Sequence, residues 1–130
     1  MVAKEKRSLT CACGNGQPYA DCCGRYHGGT AAPSAEALMR SRYTAYVMGL
    51  EDYLLASWHP STRPASLDLK TIPRPQWVNL QVISHRQQDD KHATVEFVAR
   101  YKLNGRAFRM HEISRFLQDE GRWFYVDGEQ

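Results

Sequence analysis

The sequence predicts an α+β fold in which helices come first, about four antiparallel strands follow, and a small cysteine knuckle precedes both. Three observations carry this. Apolar residues recur at helical spacing through AEALMRSRYTAYVMG, residues 35–49. From Gln76 the period changes toward two, and Asn104-Gly105 marks a two-residue hairpin. All four cysteines fall within CACGNGQPYADCCG.

In that segment Cys11 and Cys13 share one short arm. Gly14, Asn15 and Gly16 permit a tight reversal. Residues 18–21 form a short helical turn that delivers Cys22 and Cys23, and Gly24 lets it end. Four thiolates around one borderline-soft cation fit a tetrahedral structural site, which predicts zinc bound by Cys11, Cys13, Cys22 and Cys23. Disulfides, unliganded buried thiols, a redox pair and an iron–sulfur cluster are the competing readings. A site filled by four protein ligands has no open position, so hydrolytic zinc chemistry is not expected there.

Residues 27–33 read as a connection. Ser34 can cap a helix beginning at Ala35, with Glu36 near its positive end and Gly49 as its stop. Leu38, Met39, Arg42, Tyr43, Tyr46 and Val47 share one broad face. A shorter helix covers 51–58 and ends at His59-Pro60. Residues 61–75 hold three prolines and read as irregular. In the first strand Val78, Leu80 and Val82 alternate with Asn79, Gln81 and Ile83. A turn at 88–91 precedes the strand HATVEFVARYKL. The hairpin then leads to RAFRMHEISRFL, a turn at 118–121 and WFYVD.

The Asn104-Gly105 turn fixes a register: Tyr101 faces Phe108, Ala99 faces Met110, Phe97 faces Glu112 and Val95 faces Ser114. On the next hairpin Phe116 is placed beside Trp123, Ser114 beside Tyr125 and Glu112 beside Asp127. One sheet face is then apolar and aromatic, interrupted by Glu112 and Asp127. Burying a carboxylate there costs several kcal/mol unless it is paired or protonated. Two readings follow. One is a cavity lined by Arg42, Tyr43, Tyr46, Trp58, Phe97, Tyr101, Glu112, Trp123 and Tyr125, with His59 at its mouth and Asp127 beside it. The other is a structural Arg42–Glu112 ion pair fixing helix against sheet. The opposite face carries Arg100 opposite Arg109, with His111, Arg115 and Glu96 nearby, and reads as solvated. His85 and His92 read as surface residues.

The formal charge is +3, spread along the chain, so nucleic acid is an unlikely partner. Lys4, Lys6 and Arg7 read as a solvated end or a counter-charge to the thiolates. No apolar run approaches the roughly 20 residues of a membrane span, and no secretory signal is legible, so a cytoplasmic location is expected.

The spacing CxC, eight residues, CC and Gly resembles the SEC-C zinc motif, whose ligands correspond to Cys11, Cys13, Cys22 and Cys23. The stretches CACGNGQPYADCCG, LMRSRYTAYVMG, YLLASWHPSTRP, FVARY and HEISRFLQDEGRWFYVDG together resemble the YchJ-like family, UPF0225. That resemblance implies a SEC-C segment with its linker over 1–33 and an NTF2-like domain over 34–130. An NTF2-like domain is a cone, with a curved sheet wrapped around helices and a pocket at its wide end. The expected function is a zinc-binding module for a small molecule or a protein side chain, with the knuckle as a docking surface or cap. An acid–base lyase, isomerase or hydrolase using Glu112 or Asp127, assisted by His59 or Tyr101, is the enzymatic alternative. Ribosome or nucleic-acid association is the third.

Overall fold

The computed structural model describes residues 10–130; Lys4, Lys6 and Arg7 lie outside them. A 3-10 turn, Tyr19–Asp21, leads into three helices: α1 (Cys23–His27), α2 (Ala35–Met48) and α3 (Glu51–Ala56). Four strands follow: β1 (Gln76–Gln87), β2 (His92–Leu103), β3 (Arg106–Asp119) and β4 (Arg122–Glu129). They form one antiparallel sheet in the order β1-β2-β3-β4. No helix among the described residues is long and apolar enough to cross a membrane.

Helix α2 begins and ends where its sequence dictates. The Ser34 hydroxyl accepts the Ala37 N–H at 3.1 Å, a cap worth about 1 kcal/mol. Gly49 closes the helix in the left-handed region at φ 75°. Leu38, Met39 and Tyr43 turn into the sheet and meet Val95, Phe97, Ala99, Phe116 and Trp123 to form the core. Val47 leaves that face and is 40% exposed. Helix α1 reaches His27, so the segment expected to be a plain connection starts with helix. Helix α3 stops at Ala56, short of the expected Trp58, because the chain there turns to pair with β4. The Tyr125 N–H donates to the Ser57 carbonyl at 2.9 Å and the His59 N–H to the Tyr125 carbonyl at 2.8 Å. This short parallel bridge covers the free edge of β4.

The β2–β3 register is the one the hairpin predicts, with Phe97 opposite Glu112 and Ala99 opposite Met110. The β3–β4 register is not. Phe116 pairs with Tyr125 and Arg115 with Asp127, so Val126 is an extra residue in β4. This bulge reverses the side on which the rest of the strand points. The Thr62 hydroxyl donates to the Val126 carbonyl at 2.7 Å, which gives the bulge a partner. Asp127 is thereby turned to the outer face, against Arg115 at 2.6 Å. Trp123 sits opposite Gln118, inside the core. Two further bulges in β1, at Val78 and Ile83, put both of those residues on the outside, at 53% and 49% exposure. Trp77, Leu80 and Val82 face inward instead of the simple alternation from Val78.

Candidate metal centre and cavity

The four cysteines are brought together by a loop held shut by its backbone. Cys11 N–H donates to the Gln17 carbonyl at 2.9 Å and Cys22 N–H to the Tyr19 carbonyl at 3.0 Å. Gly14 and Gly16, at φ 82° and 83°, make the reversal between the two cysteine pairs. All four Sγ atoms lie within 4.8 Å of one another and all four residues are buried. Cys13 and Cys22 are 3.6 Å apart, and Cys22 and Cys23 are 4.0 Å apart. Tetrahedral ligands at about 2.3 Å from a common centre stand ~3.8 Å from each other, so the spacing fits one ion. None of the four is in a disulfide. Within the cluster the hydrogen bond with Cys23 pulls the Cys13 thiol down to about 5. The same bond pushes Cys23 up, and burial pushes Cys22 up. Loading a cation means displacing the remaining protons.

Side chains beyond the ligands hold this cluster against α2 and β1. The Thr44 hydroxyl lies 3.4 Å from Cys23 Sγ and 3.6 Å from Cys11 Sγ. Arg40 Nη1 donates to the Cys13 carbonyl at 2.9 Å. Asn15 Nδ2 reaches Cys22 Sγ at 3.8 Å, and Leu80 of β1 packs on the thiols. His27 adds a strut that the sequence did not advertise. Its Nε2 bonds the Ser41 carbonyl at 2.8 Å, so that nitrogen carries the proton. Its Nδ1 therefore accepts from the Tyr19 hydroxyl at 2.6 Å. Such outer contacts orient metal ligands and are felt in affinity.

The other side of α2 faces a partly open cavity of about 260 Å³ between helix and sheet. Six of the residues expected there line it: Arg42, Tyr43, Tyr46, Phe97, Glu112 and Tyr125. Six more complete the wall: Met39, Trp77, Ala99, Met110, Ser114 and Phe116. The β2–β3 register already paired Ala99 with Met110 and Val95 with Ser114. Trp77 carried no such signal, because only the bulge at Val78 turns it inward.

Arg42 is deeply buried. Its Nη1 donates to the Leu54 carbonyl at 2.8 Å and to Ser57 Oγ at 2.6 Å. The guanidinium lies 4.5 Å from the Tyr125 ring centroid and 5.2 Å from that of Trp58, a favourable face for a cation. Burial pushes its pKa down. Glu112 Oε2 accepts from Ser114 Oγ at 2.6 Å and, more weakly, from the Tyr125 hydroxyl at 3.4 Å. Gly128 leaves the space this carboxylate occupies, since a Cβ there would collide with it. Burial raises the pKa of Tyr46 and Tyr125, and takes Tyr43 to about 12, so all three remain phenols at neutral pH. Among the described residues Arg42 and Glu112 form no ion pair. The ion-pair reading is thus corrected: the guanidinium is held by a carbonyl, a hydroxyl and two rings, leaving the cup open.

Five expected residues stand off the cavity wall. Trp58 lies behind it, edge-on to Tyr125 at 4.8 Å. Tyr101 is wedged between Trp77 and Phe108, at 5.2 and 5.4 Å. Trp123 is core, and Asp127 is on the outer face. His59 is off the wall, packed edge-on to Phe124 at 5.6 Å, with Nε2 3.1 Å from Asp119 and Nδ1 accepting the Ser61 N–H at 3.1 Å, so it closes a turn. The outer face carries partly exposed pairs, His111 with Glu96 at 2.7 Å and Arg115 with Asp127 and Glu129.

Residues 34–128 match the family described as YchJ, middle NTF2-like domain. A UPF0225 protein of Methylibium petroleiphilum is 55% identical over 132 residues, covering 99% of this chain and 95% of that one. One from Bordetella pertussis is 54% identical over 122 residues, covering 92% and 91%. The solution structure of a SEC-C motif containing protein from Rhodopseudomonas palustris superposes with a TM-score of 0.84 at 35% identity, covering 93% of this chain and 98% of that one. The crystal structure of a SEC-C motif containing protein from Psychrobacter arcticus gives 0.76 at 29%, covering 92% and 80%.

Proposed function

The chain belongs to the YchJ-like, UPF0225 family, and on that premise we propose that it is a zinc-stabilised binding protein whose cup takes a small, largely apolar molecule. The observation that carries this is the cavity itself: about 260 Å³ of space with Arg42 and Glu112 on its wall and unpaired with each other. Ligand sites are mostly apolar pockets with a few placed polar groups. This one has that composition and lies just below the usual size range.

Cys11, Cys13, Cys22 and Cys23 would hold the metal, and the all-thiolate set favours zinc. The ion would supply folding free energy and no reactive position, because the thiolates occupy all four sites. Its work is to hold the loop on Arg40 and Thr44 of α2, the helix that also presents Arg42, Tyr43 and Tyr46 to the cup. Free thiols in a metal-binding set suit a reducing compartment such as the cytoplasm.

Binding is favoured over acid–base catalysis by the placement of the expected assistants. His59, Tyr101 and Asp127 all lie off the wall, and the wall tyrosines are held as phenols. Glu112 is left without a second proton carrier of suitable range. A fragment screen on the zinc-loaded chain, read by thermal shift, tests the proposal against Ala99→Leu, which fills the cup. Hits that stabilise the parent chain and not the variant are expected. Hits that stabilise both equally place binding elsewhere and refute it.

A further inference from the structure

The charges on the cup wall specify a class of ligand, given the reading above that the cup is a binding site. Arg42 and Glu112 both meet one side chain, the guanidinium over the Tyr125 ring and the carboxylate at its hydroxyl. The guanidinium carbon is 4.5 Å from the Tyr125 ring centroid, and the carboxylate is 3.4 Å from the Tyr125 hydroxyl. No ion pair within 4.0 Å joins them, although the carboxylate acts on the guanidinium through space, and both reach the same cavity wall. Each has bonding capacity left among the described residues. Arg42 uses Nη1 alone, with Nε and Nη2 bonding nothing, and Glu112 uses Oε2 alone. Among the described residues no fully buried side-chain nitrogen or oxygen is without a partner, and both residues line the cavity. The remainder of the wall is apolar or aromatic apart from hydroxyls.

Charge balance then discriminates among ligands. The cup holds one positive and one negative group on a wall that is otherwise largely apolar. A ligand of net charge enters with that charge uncompensated, which is costly against apolar surface. A wholly apolar ligand displaces water from both groups and leaves each unsatisfied. A ligand with one cationic and one anionic group on neighbouring atoms satisfies both and adds no net charge.

We infer that the cup binds a zwitterionic amino acid with an aromatic or large apolar side chain, its carboxylate on Arg42, its ammonium on Glu112 and its side chain among Tyr43, Tyr46, Trp77 and Phe97. A partly open cavity of about 260 Å³ has room for a molecule of this size. Gly128 belongs to the same device, because it makes room for the carboxylate that reads the ammonium.

Calorimetric titration of the zinc-loaded full chain with four probes sharing one phenyl body tests this. The probes are L-phenylalanine, 3-phenylpropanoate, 2-phenylethylamine and benzyl alcohol. L-Phenylalanine is expected to bind at least about tenfold more tightly than either singly charged probe. Glu112→Gln is expected to shrink its advantage over 3-phenylpropanoate. A singly charged probe that matches the zwitterion in the parent chain overturns the inference, whatever the variant does. Binding of benzyl alcohol alone overturns it while leaving the cup as a ligand site. Binding of none of the four overturns the inference, and if the fragment screen is also empty the reading beneath it falls too.

Discussion

The two sides of helix α2 face opposite kinds of site. Toward the knuckle, Arg40 and Thr44 meet four buried cysteines whose Sγ atoms are already within 4.8 Å of one another. Nothing is left over there for a substrate once a cation is bound. Toward the sheet, Arg42 and Glu112 keep unused bonding capacity on the wall of an open cavity. A closed, fully coordinated site stabilises, and an open one with unspent polar groups recognises. One helix carries both, so on the proposed reading a cation held by the cysteines would set the position of the cup wall.

Breaking the closed side should have the largest effect. Cys11→Ser and Cys22→Ser each remove one of four ligands from a site whose binding energy is folding energy, of the order of 10 kcal/mol for structural zinc. Both variants are expected to lose metal, measured by mass spectrometry, and to unfold well below the parent chain. Full metal occupancy in both would contradict the four-thiolate site. Next in size is Arg42→Met, which strips the Leu54 carbonyl and Ser57 hydroxyl of a buried charged donor. It should cost about 2–4 kcal/mol in urea unfolding while metal content stays full. Thr44→Val keeps shape and removes the hydroxyl between Cys11 and Cys23. Loss of such an outer contact lowers metal affinity by about 10–100-fold, measurable by chelator competition.

Smaller effects sharpen the open side. Gly128→Ala should cost about 1–3 kcal/mol by pushing Glu112 from its place. Combining it with Glu112→Ala should recover much of that, a coupling a double-mutant cycle reads directly. Additive costs would show that the two residues do not share the space. Smallest of all is Asp127→Asn. It breaks a half-exposed pair with Arg115 and should leave both stability and cup binding unchanged. A loss of cup binding would restore Asp127 to the cavity.

What the sequence revealed and what it hid follow from how local each signal is. Asn104-Gly105 sits at φ 53° and 79° in a two-residue turn, and that chemistry alone sets the whole β2–β3 register. The cysteine spacing was equally local. Ser34 and Gly49 marked both ends of α2. The bulges at Val78, Ile83 and Val126 have no residue signature here, since none is glycine or proline. They were therefore invisible, and each reversed the facing of the residues beyond it. That is why Trp77 was missed and Asp127 misplaced. Glu112 was legible because its register came from the readable hairpin. Whether it would pair with Arg42 was not, since that depends on Ser57 and the Leu54 carbonyl reaching the guanidinium first. His27 was overlooked because a lone histidine before two glycines looks like a linker until Tyr19 and Ser41 are seen around it.

The most direct test of the division between the two sides uses the methionine methyl groups. Met39 and Met110 line the cup, whereas Met48 is 49% exposed and lies outside it. Methyl-labelled, zinc-loaded protein would be titrated with a fragment that stabilises the parent chain and followed by NMR. The account predicts shifts at Met39 and Met110 with Met48 unmoved. Shifts at Met48 alone, or at none of the three, would contradict it.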